Sequence, residues 1–221
     1  MIVWLASYPR SGNTFFRIIL NNVFEIKTYS IYNDKSDIGA DEATSKIVGH
    51  QFLPQGYNLE LMRLSKDIYY IKTHELLNEE VSSKDKIVYL LRDGRDATIS
   101  FWRHQNNFGS KLFSIEDIIT GKNFHNITWA SHVKSWLQRK DIFFIKFEDL
   151  IKNQYDYIEK IESFLGIKAK TNTIPTFSEL NSINPKFFNK GTMNNWKDDF
   201  STEDLNLFLS LNKDVLKEFD Y

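Results

Sequence analysis

Continuous apolar runs and helix-period patterns alternate along the chain. The first run, Ile2 to Ala6, is long enough for a buried strand and ends in a turn marked by Pro9 and Gly12. Phe15, Ile18, Ile19, Asn22 and Val23 then recur in i, i+3, i+4 relation and predict a helix. Further runs at Ile68 to Lys72, Lys86 to Leu91 and Asp141 to Phe147 predict three more strands. Ala97 to Phe108, Ile127 to Arg139 and Tyr155 to Leu165 read as helices, the last stopped by Gly166. Ser201-Thr202-Glu203-Asp204 reads as a capping box that opens a terminal helix. Strands that do not alternate, separated by helices, imply a parallel sheet covered on both faces. The expected fold class is therefore α/β, with one domain over residues 1–221 and a central parallel sheet flanked by helices on both faces. Residues 25–67 and 102–124 are weakly patterned or lie beyond the regular pattern, and they read as insertions that wall a substrate site. Ligands of such sheets sit at the carboxyl ends of the strands, a rule that collects Arg10, Lys72, His74 and Arg92 at one edge.

Composition narrows the function classes. With 42% hydrophobic and 26% charged residues, the chain has the profile of an ordinary folded domain. A net charge of −1 supplies no global field for nucleic acid, so an anion site must be local. The absence of cysteine excludes disulfides, thiolate metal sites and a thiol nucleophile. No His, Asp or Glu cluster has metal-ligand spacing. The opening apolar run is cut off at Tyr8-Pro9-Arg10, too short for a signal peptide or a membrane span, and a cytoplasmic protein is expected.

The candidate chemistry lies in four segments. A strand, a tight turn and a helix over Ser7-Tyr8-Pro9-Arg10-Ser11-Gly12-Asn13-Thr14 make an anion cradle from loop amides, a helix N-terminus and the Arg10 fork. The plainer reading is a helix cap with a solvated arginine. This is not the G-x-x-x-x-G-K-[ST] loop, because Ser7 replaces its first glycine and Asn13 its lysine. His74, directly after a strand, could take a proton from an acceptor hydroxyl or could be a satisfied surface histidine. His50, His104, His125 and His132 read as structural. Arg92 ends a strand with Ser100 about two helical turns on, so the two could grip a phosphate; Asp93 or Asp96 could equally pair with Arg92. Lys190-Gly191 lies in a polar, cationic tail loop over 188–200. The aromatics Trp102, Phe108, Phe113 and Phe124 read as core for the most part.

Taken together, these segments resemble the sulfotransferases that use 3′-phosphoadenosine 5′-phosphosulfate (PAPS). The first loop looks like their 5′-phosphosulfate loop, and Tyr89-Leu90-Leu91-Arg92-Asp93-Gly94-Arg95-Asp96-Ala97-Thr98-Ile99-Ser100 looks like their 3′-phosphate segment. Lys72-Thr73-His74, Phe147-Glu148-Asp149-Leu150 and Lys190-Gly191-Thr192-Met193-Asn194-Asn195-Trp196-Lys197 are similar to three further motifs of the cytosolic branch, in family order. The resemblance implies a P-loop-like fold and sulfuryl transfer from PAPS to a hydroxyl or amine of a small-molecule or glycan acceptor. It implies that 3′-phosphoadenosine 5′-phosphate (PAP) is the product and that no metal is required. It implies Arg10, Ser11, Gly12, Asn13 and Thr14 for the 5′-phosphosulfate, and Phe15 and Phe177 for the adenine. Arg92, Ser100, Lys190 and Gly191 would hold the 3′-phosphate; His74 would be the base, with Lys72 and Arg10 stabilising the transferring group. The sequence departs from the pattern at Arg10 and Asn189, where lysine and arginine are common, and at Phe147, which replaces a tyrosine. Ser201, Thr202 and Asn206 match the family's dimer motif poorly and leave the oligomeric state open. The rival readings are a small P-loop-like kinase, which would bind ATP with magnesium, and a non-catalytic nucleotide-binding module of the same fold.

Overall fold

Ile2–Ser7 forms the central strand, β1, buried along its whole length because every residue is apolar or small and both sheet faces are covered. The computed structural model describes residues 1–221 except Asn33, Lys186 and 189–192, together with the side chain of Ser36. After β1 come α1 (Asn13–Phe24), β2 (Tyr29–Ser30), two 3-10 turns (Asp34–Ser36 and Ile38–Ala40), α2 (Glu42–Val48) and α3 (Leu59–Leu64). The middle of the chain supplies β3 (Tyr69–Thr73), β4 (Lys86–Leu91), α4 (Gly94–Phe108), α5 (Ile115–Ile119), α6 (Trp129–Trp136) and β5 (Ile142–Lys146). Then follow α7 (Phe147–Lys152), α8 (Gln154–Leu165), α9 (Phe177–Ile183), α10 (Trp196–Asp199) and α11 (Thr202–Glu218).

The five strands are all parallel in the order β2-β3-β1-β4-β5. The fold is a single α/β domain with a central parallel sheet, as the sequence pattern implies. Successive residues of β1 point to opposite faces and seed two cores. Val3 and Leu5 pack with α1 and α8, whereas Ile2, Trp4 and Ala6 pack with α4, α6 and α11. The chain leaves β1 toward β2 and β3 on one side and reaches β4 and β5 on the other, so a crevice opens above the carboxyl end of β1.

The local signals explain most boundaries. Ser201 and Asp204 form the capping box that starts α11, and Gly166 ends α8 at φ 72°. The helix expected over 127–139 spans only Trp129–Trp136, because the Thr128 hydroxyl caps it by accepting from Ser131 N–H and its C-cap is Leu137. Strand β2 is too short to show a pattern, but it pairs Ser30 with Lys72 and brings Ile31, Tyr32, Asp34 and Asp37 to the sheet edge. The segment that enters β2 is anchored to α1 by the buried Arg17, whose guanidinium donates to Thr28 Oγ1 at 2.7 Å and to His50 Nδ1 at 2.8 Å. Burial and the adjacent Arg17 push the His50 imidazole down to about 4, so it stays a neutral acceptor. Among the described residues no helix is long and apolar enough to cross a membrane.

Candidate functional site

The turn after β1 is built around two residues in the left-handed region, Arg10 at φ 65° and Gly12 at φ 96°. Gly12 is the N-cap of α1 and has no room for a side chain: a Cβ there would lie 2.4 Å from Cδ2 of Phe147. Asn13 Nδ2 donates to Leu5 O at 2.8 Å and to Ser7 Oγ at 3.2 Å, lashing the start of α1 to the end of β1. The loop therefore presents Arg10, Gly12, Asn13, Thr14 and Phe15 to a cleft of about 350 Å³, the size class of a ligand pocket. Ser11 is fully buried and is not a cleft wall, and its hydroxyl has no hydrogen-bond partner among the described residues. Asn13 Nδ2 is spent on the strand, which leaves the backbone N–H as the residue's donor to a ligand, while its Oδ1 has no hydrogen-bond partner among the described residues.

The same cleft receives Lys72, His74, Arg92, Ser100 and Phe177. Arg92 Nη1 donates to Arg10 O at 3.2 Å, and its guanidinium lies 4.9 Å from the Phe147 ring centre. Burial lowers the pKa of Arg92, against the pull of Asp96, Glu148 and Asp93. Those acids have other work: Asp93 pairs with Arg95 at 2.6 Å, and Asp96 accepts from the backbone N–H groups of Asn194 and Trp196. Arg10 Nε reaches Ser100 Oγ at 3.4 Å. Phe15 and Phe177 stack face to face with centroids 4.9 Å apart. Lys190 and Gly191 lie outside the described residues. Phe147, at the position where a tyrosine was expected, packs its ring between Gly12 and Arg92 rather than offering a hydroxyl.

His74 is held on all sides but one. Its Nδ1 is 2.8 Å from Ser7 O and 3.2 Å from Ser7 Oγ. A carbonyl only accepts, so Nδ1 carries the proton and Nε2 keeps a free lone pair. The His74 N–H donates to Tyr32 Oη at 2.8 Å, Tyr32 Oη donates to Glu75 at 2.9 Å, and the Tyr32 and His74 rings stack. Helix α6 braces the loop from behind. His132 Nε2 donates to His74 O at 2.9 Å, Trp136 Nε1 donates to Glu75 O at 3.0 Å, and Ser135 Oγ accepts from Leu77 N–H at 2.9 Å. His132 Nδ1 in turn accepts from Tyr89 Oη at 2.8 Å, and burial pushes this imidazole down to about 4. Burial, then Lys72, holds His74 well below the usual imidazole range.

Lys72 is buried with its ammonium 3.5 Å from Asp34 and 5.5 Å from the centre of the Tyr32 ring. Burial lowers its pKa and Asp34 opposes that shift. Tyr32, Asp34, Asp37, Arg103, His104, Gln105 and Phe124 line the cleft too; in the sequence His104 reads as structural and Phe124 as core, and the others carry no signal. They come from the two stretches read as insertions. Of the other aromatics in that region, Trp102 donates to Phe113 O, and Phe108 is exposed. Among the described residues no group of three or more His, Asp or Glu side chains is arranged to hold a metal.

The family model described as "Sulfotransferase domain" matches residues 2–220. Sulfotransferase 1B1 of Mus musculus is 27% identical over 177 residues, 73% of this chain and 57% of the relative. The 3-beta-hydroxysteroid sulfotransferase of Cavia porcellus is also 27% identical over 177 residues, with 73% and 60% covered. The chain thus spans less than two thirds of the length of these two relatives, although sulfotransferase 1A1 of Mus musculus is 25% identical with 90% and 79% covered. Mouse sulfotransferase SULT7A1 complexed with PAP superposes with a TM-score of 0.70 at 22% identity, covering 99% of this chain and 84% of that one. Retinol dehydratase in complex with androsterone and inactive cofactor PAP gives 0.67 at 22% identity, covering 98% and 80%. At those identities the superpositions establish the fold, and the family model, matched over nearly every residue, establishes the kinship: the chain belongs to the sulfotransferase domain family.

Proposed function

We propose that the protein moves a sulfuryl group from PAPS to a hydroxyl or amine of a small-molecule or glycan acceptor, with His74 as general base. The observation that carries this reading is the convergence in one cleft of Arg10, Lys72, Arg92 and an imidazole whose free nitrogen is Nε2. The residues suit the donor. A glycine that admits no Cβ, a helix N-terminus and the fork of Arg10 form a cradle for a phosphosulfate. Arg92 and Ser100 suit a second phosphate, and Phe15 and Phe177 offer faces to a purine.

The donor supplies an electrophilic sulfur and PAP as leaving group. The acceptor oxygen forms the new bond to sulfur while the bond from sulfur to the bridging phosphate oxygen breaks, and the acceptor proton goes to His74 Nε2. Lys72 and Arg10 meet the charge that grows on the bridging oxygen, where preorganised cations lower the barrier most. The ion pair of Lys72 with Asp34 holds the ammonium at the cleft in the meantime. Tyr32, Asp34, Asp37, Arg103, His104, Gln105 and Phe124 complete the lining of the cleft, and we assign them to the acceptor side.

Thermal stabilisation tests the donor class directly. PAP at about 100 times its dissociation constant should add about 2.7 kcal/mol. In a chain of this size that raises the melting temperature by about 5–10 °C. ATP with magnesium should add little. A shift with ATP–magnesium alone would favour a kinase and remove this reading.

The pH dependence follows from the environment of His74. Only the neutral imidazole accepts a proton, so activity falls as pH drops through its pKa. In the free protein that pKa lies well below 6.5 because of burial and the neighbouring cations Lys72 and Arg10. An anionic donor against those cations raises it. The acid limb of kcat should therefore sit at higher pH than the acid limb of kcat/KM for the donor, with rates flat above neutrality. An acid limb that moves the other way on saturation with donor would contradict the assignment.

A further inference from the structure

The acceptor wall carries a carboxylate that sulfuryl transfer does not use. Asp34 is occupied by Lys72 at 3.5 Å. Asp37, on the next turn, lines the same cleft, and its Oδ1 is buried with no hydrogen-bond partner among the described residues. Burial raises the pKa of Asp37, and the charges of Lys72 and Arg10 oppose that shift. Helix α4 adds His104 and Gln105 to this half of the cleft, and Phe124 adds an apolar face. Burial and Arg10 push the His104 imidazole down to about 3, which keeps it neutral, one nitrogen a donor and the other an acceptor. Arg103, next in line, is paired with Asp199 at 2.7 Å.

These groups discriminate among acceptor classes. An apolar aryl acceptor would seal Asp37 from water and offer it nothing, and a buried carboxylate without a donor bears the full cost of desolvation. An anionic acceptor would meet a like charge. An acceptor that carries a hydrogen-bond donor beside its reacting hydroxyl satisfies Asp37, and further hydroxyls suit the His104 imidazole and the Gln105 amide. A site built to pair such groups rejects analogues that lack them far more strongly than an apolar pocket rejects extra ones.

We propose that the acceptor is a compact, donor-rich molecule of the saccharide kind. Asp37 is its specificity-determining residue, receiving a hydrogen bond from a hydroxyl or ammonium next to the oxygen that takes the sulfuryl group. The proposal rests on the sulfuryl-transfer reading. The reaction is the one already balanced above, with the acceptor proton passing to His74 and PAP released.

The test measures PAP release at saturating PAPS with three probes at equal concentration: a methyl hexopyranoside, its 2-amino-2-deoxy counterpart and 4-nitrophenol. One of the two sugars should exceed 4-nitrophenol at least tenfold in kcat/KM. The neutral sugar leading assigns a hydroxyl to Asp37, and the amino sugar leading assigns an ammonium. Asp37→Asn should lower kcat/KM for the preferred sugar at least tenfold. Asp37→Leu should turn the preference toward 4-nitrophenol, with the thermal shift by PAP kept in both variants as proof of folding and donor binding. The proposal is overturned if 4-nitrophenol equals or beats both sugars, if Asp37→Leu leaves sugar turnover unchanged, or if a protein that shifts with PAP turns over neither sugar. A wild-type protein that does not shift with PAP removes the donor reading and this proposal together, so the two failures are distinguishable.

Discussion

Replacing His74 with alanine should lower turnover about 100- to 10,000-fold, the range for a positioned general base, while the thermal shift produced by PAP stays at the wild-type value. The separation is expected because the loop does not depend on the imidazole for its shape. The backbone of His74 is held from both sides, its N–H by Tyr32 and its carbonyl by His132. Alanine keeps both bonds. What it removes is the contact of Nδ1 with Ser7 and the bare Nε2 that faces the cleft. Donor-binding residues are untouched. The measurement is PAP release at saturating PAPS beside the melting temperature with and without PAP. Equal loss of turnover and of the PAP shift would mean that His74 supports the site's shape and is not its base.

Gly12→Ala should be the most damaging single substitution in the donor loop. A side chain at φ 96° is strained at the outset, by about 1–3 kcal/mol. The new methyl would also stand 2.4 Å from the Phe147 ring, which is buried and lies against the Arg92 guanidinium. The ring cannot yield without moving Arg92, so stability and the second phosphate site should suffer together. The expected result is a loss of stability above about 2 kcal/mol and a rise in the PAP dissociation constant of at least tenfold. A double variant with Phe147→Ala should recover part of the stability, since it removes the collision and leaves only the backbone strain. A Gly12→Ala protein with wild-type melting temperature and PAP affinity would show that the loop relaxes freely and carries no constraint.

The fold was legible because its strands are buried on both faces. Lys86 to Leu91 reads as a strand and is one over the same residues, and β1 differs from its reading by a single residue. The positions that follow from strand ends were legible for the same reason, which is why Arg10, Lys72, His74 and Arg92 reach one cleft. The acceptor wall was not. Tyr32, Asp34 and Asp37 lie in a polar stretch with no period, and they reach the site only because the two-residue β2 pairs with β3. Nothing local in the sequence announces that pairing. His132 was read as structural, and it is a buried histidine; its bond to the His74 carbonyl joins residues 58 apart, beyond any motif. Ser11 is a different case. It sits within a loop motif, yet its buried hydroxyl is not part of the cleft wall.

Ser7 joins two things that a modular enzyme would keep apart. Its hydroxyl receives Asn13 from the donor loop, and its carbonyl receives His74. A change that shifts Ser7 therefore re-aims the loop and the imidazole together. Asp37 and residues 103–105 line the same cleft with no such tie to Ser7 among the described residues, whereas Tyr32 is joined to His74 through the backbone N–H of that histidine. A substitution at Asp37, His104 or Gln105 can thus reshape the cleft without loosening the serine that aligns loop and imidazole.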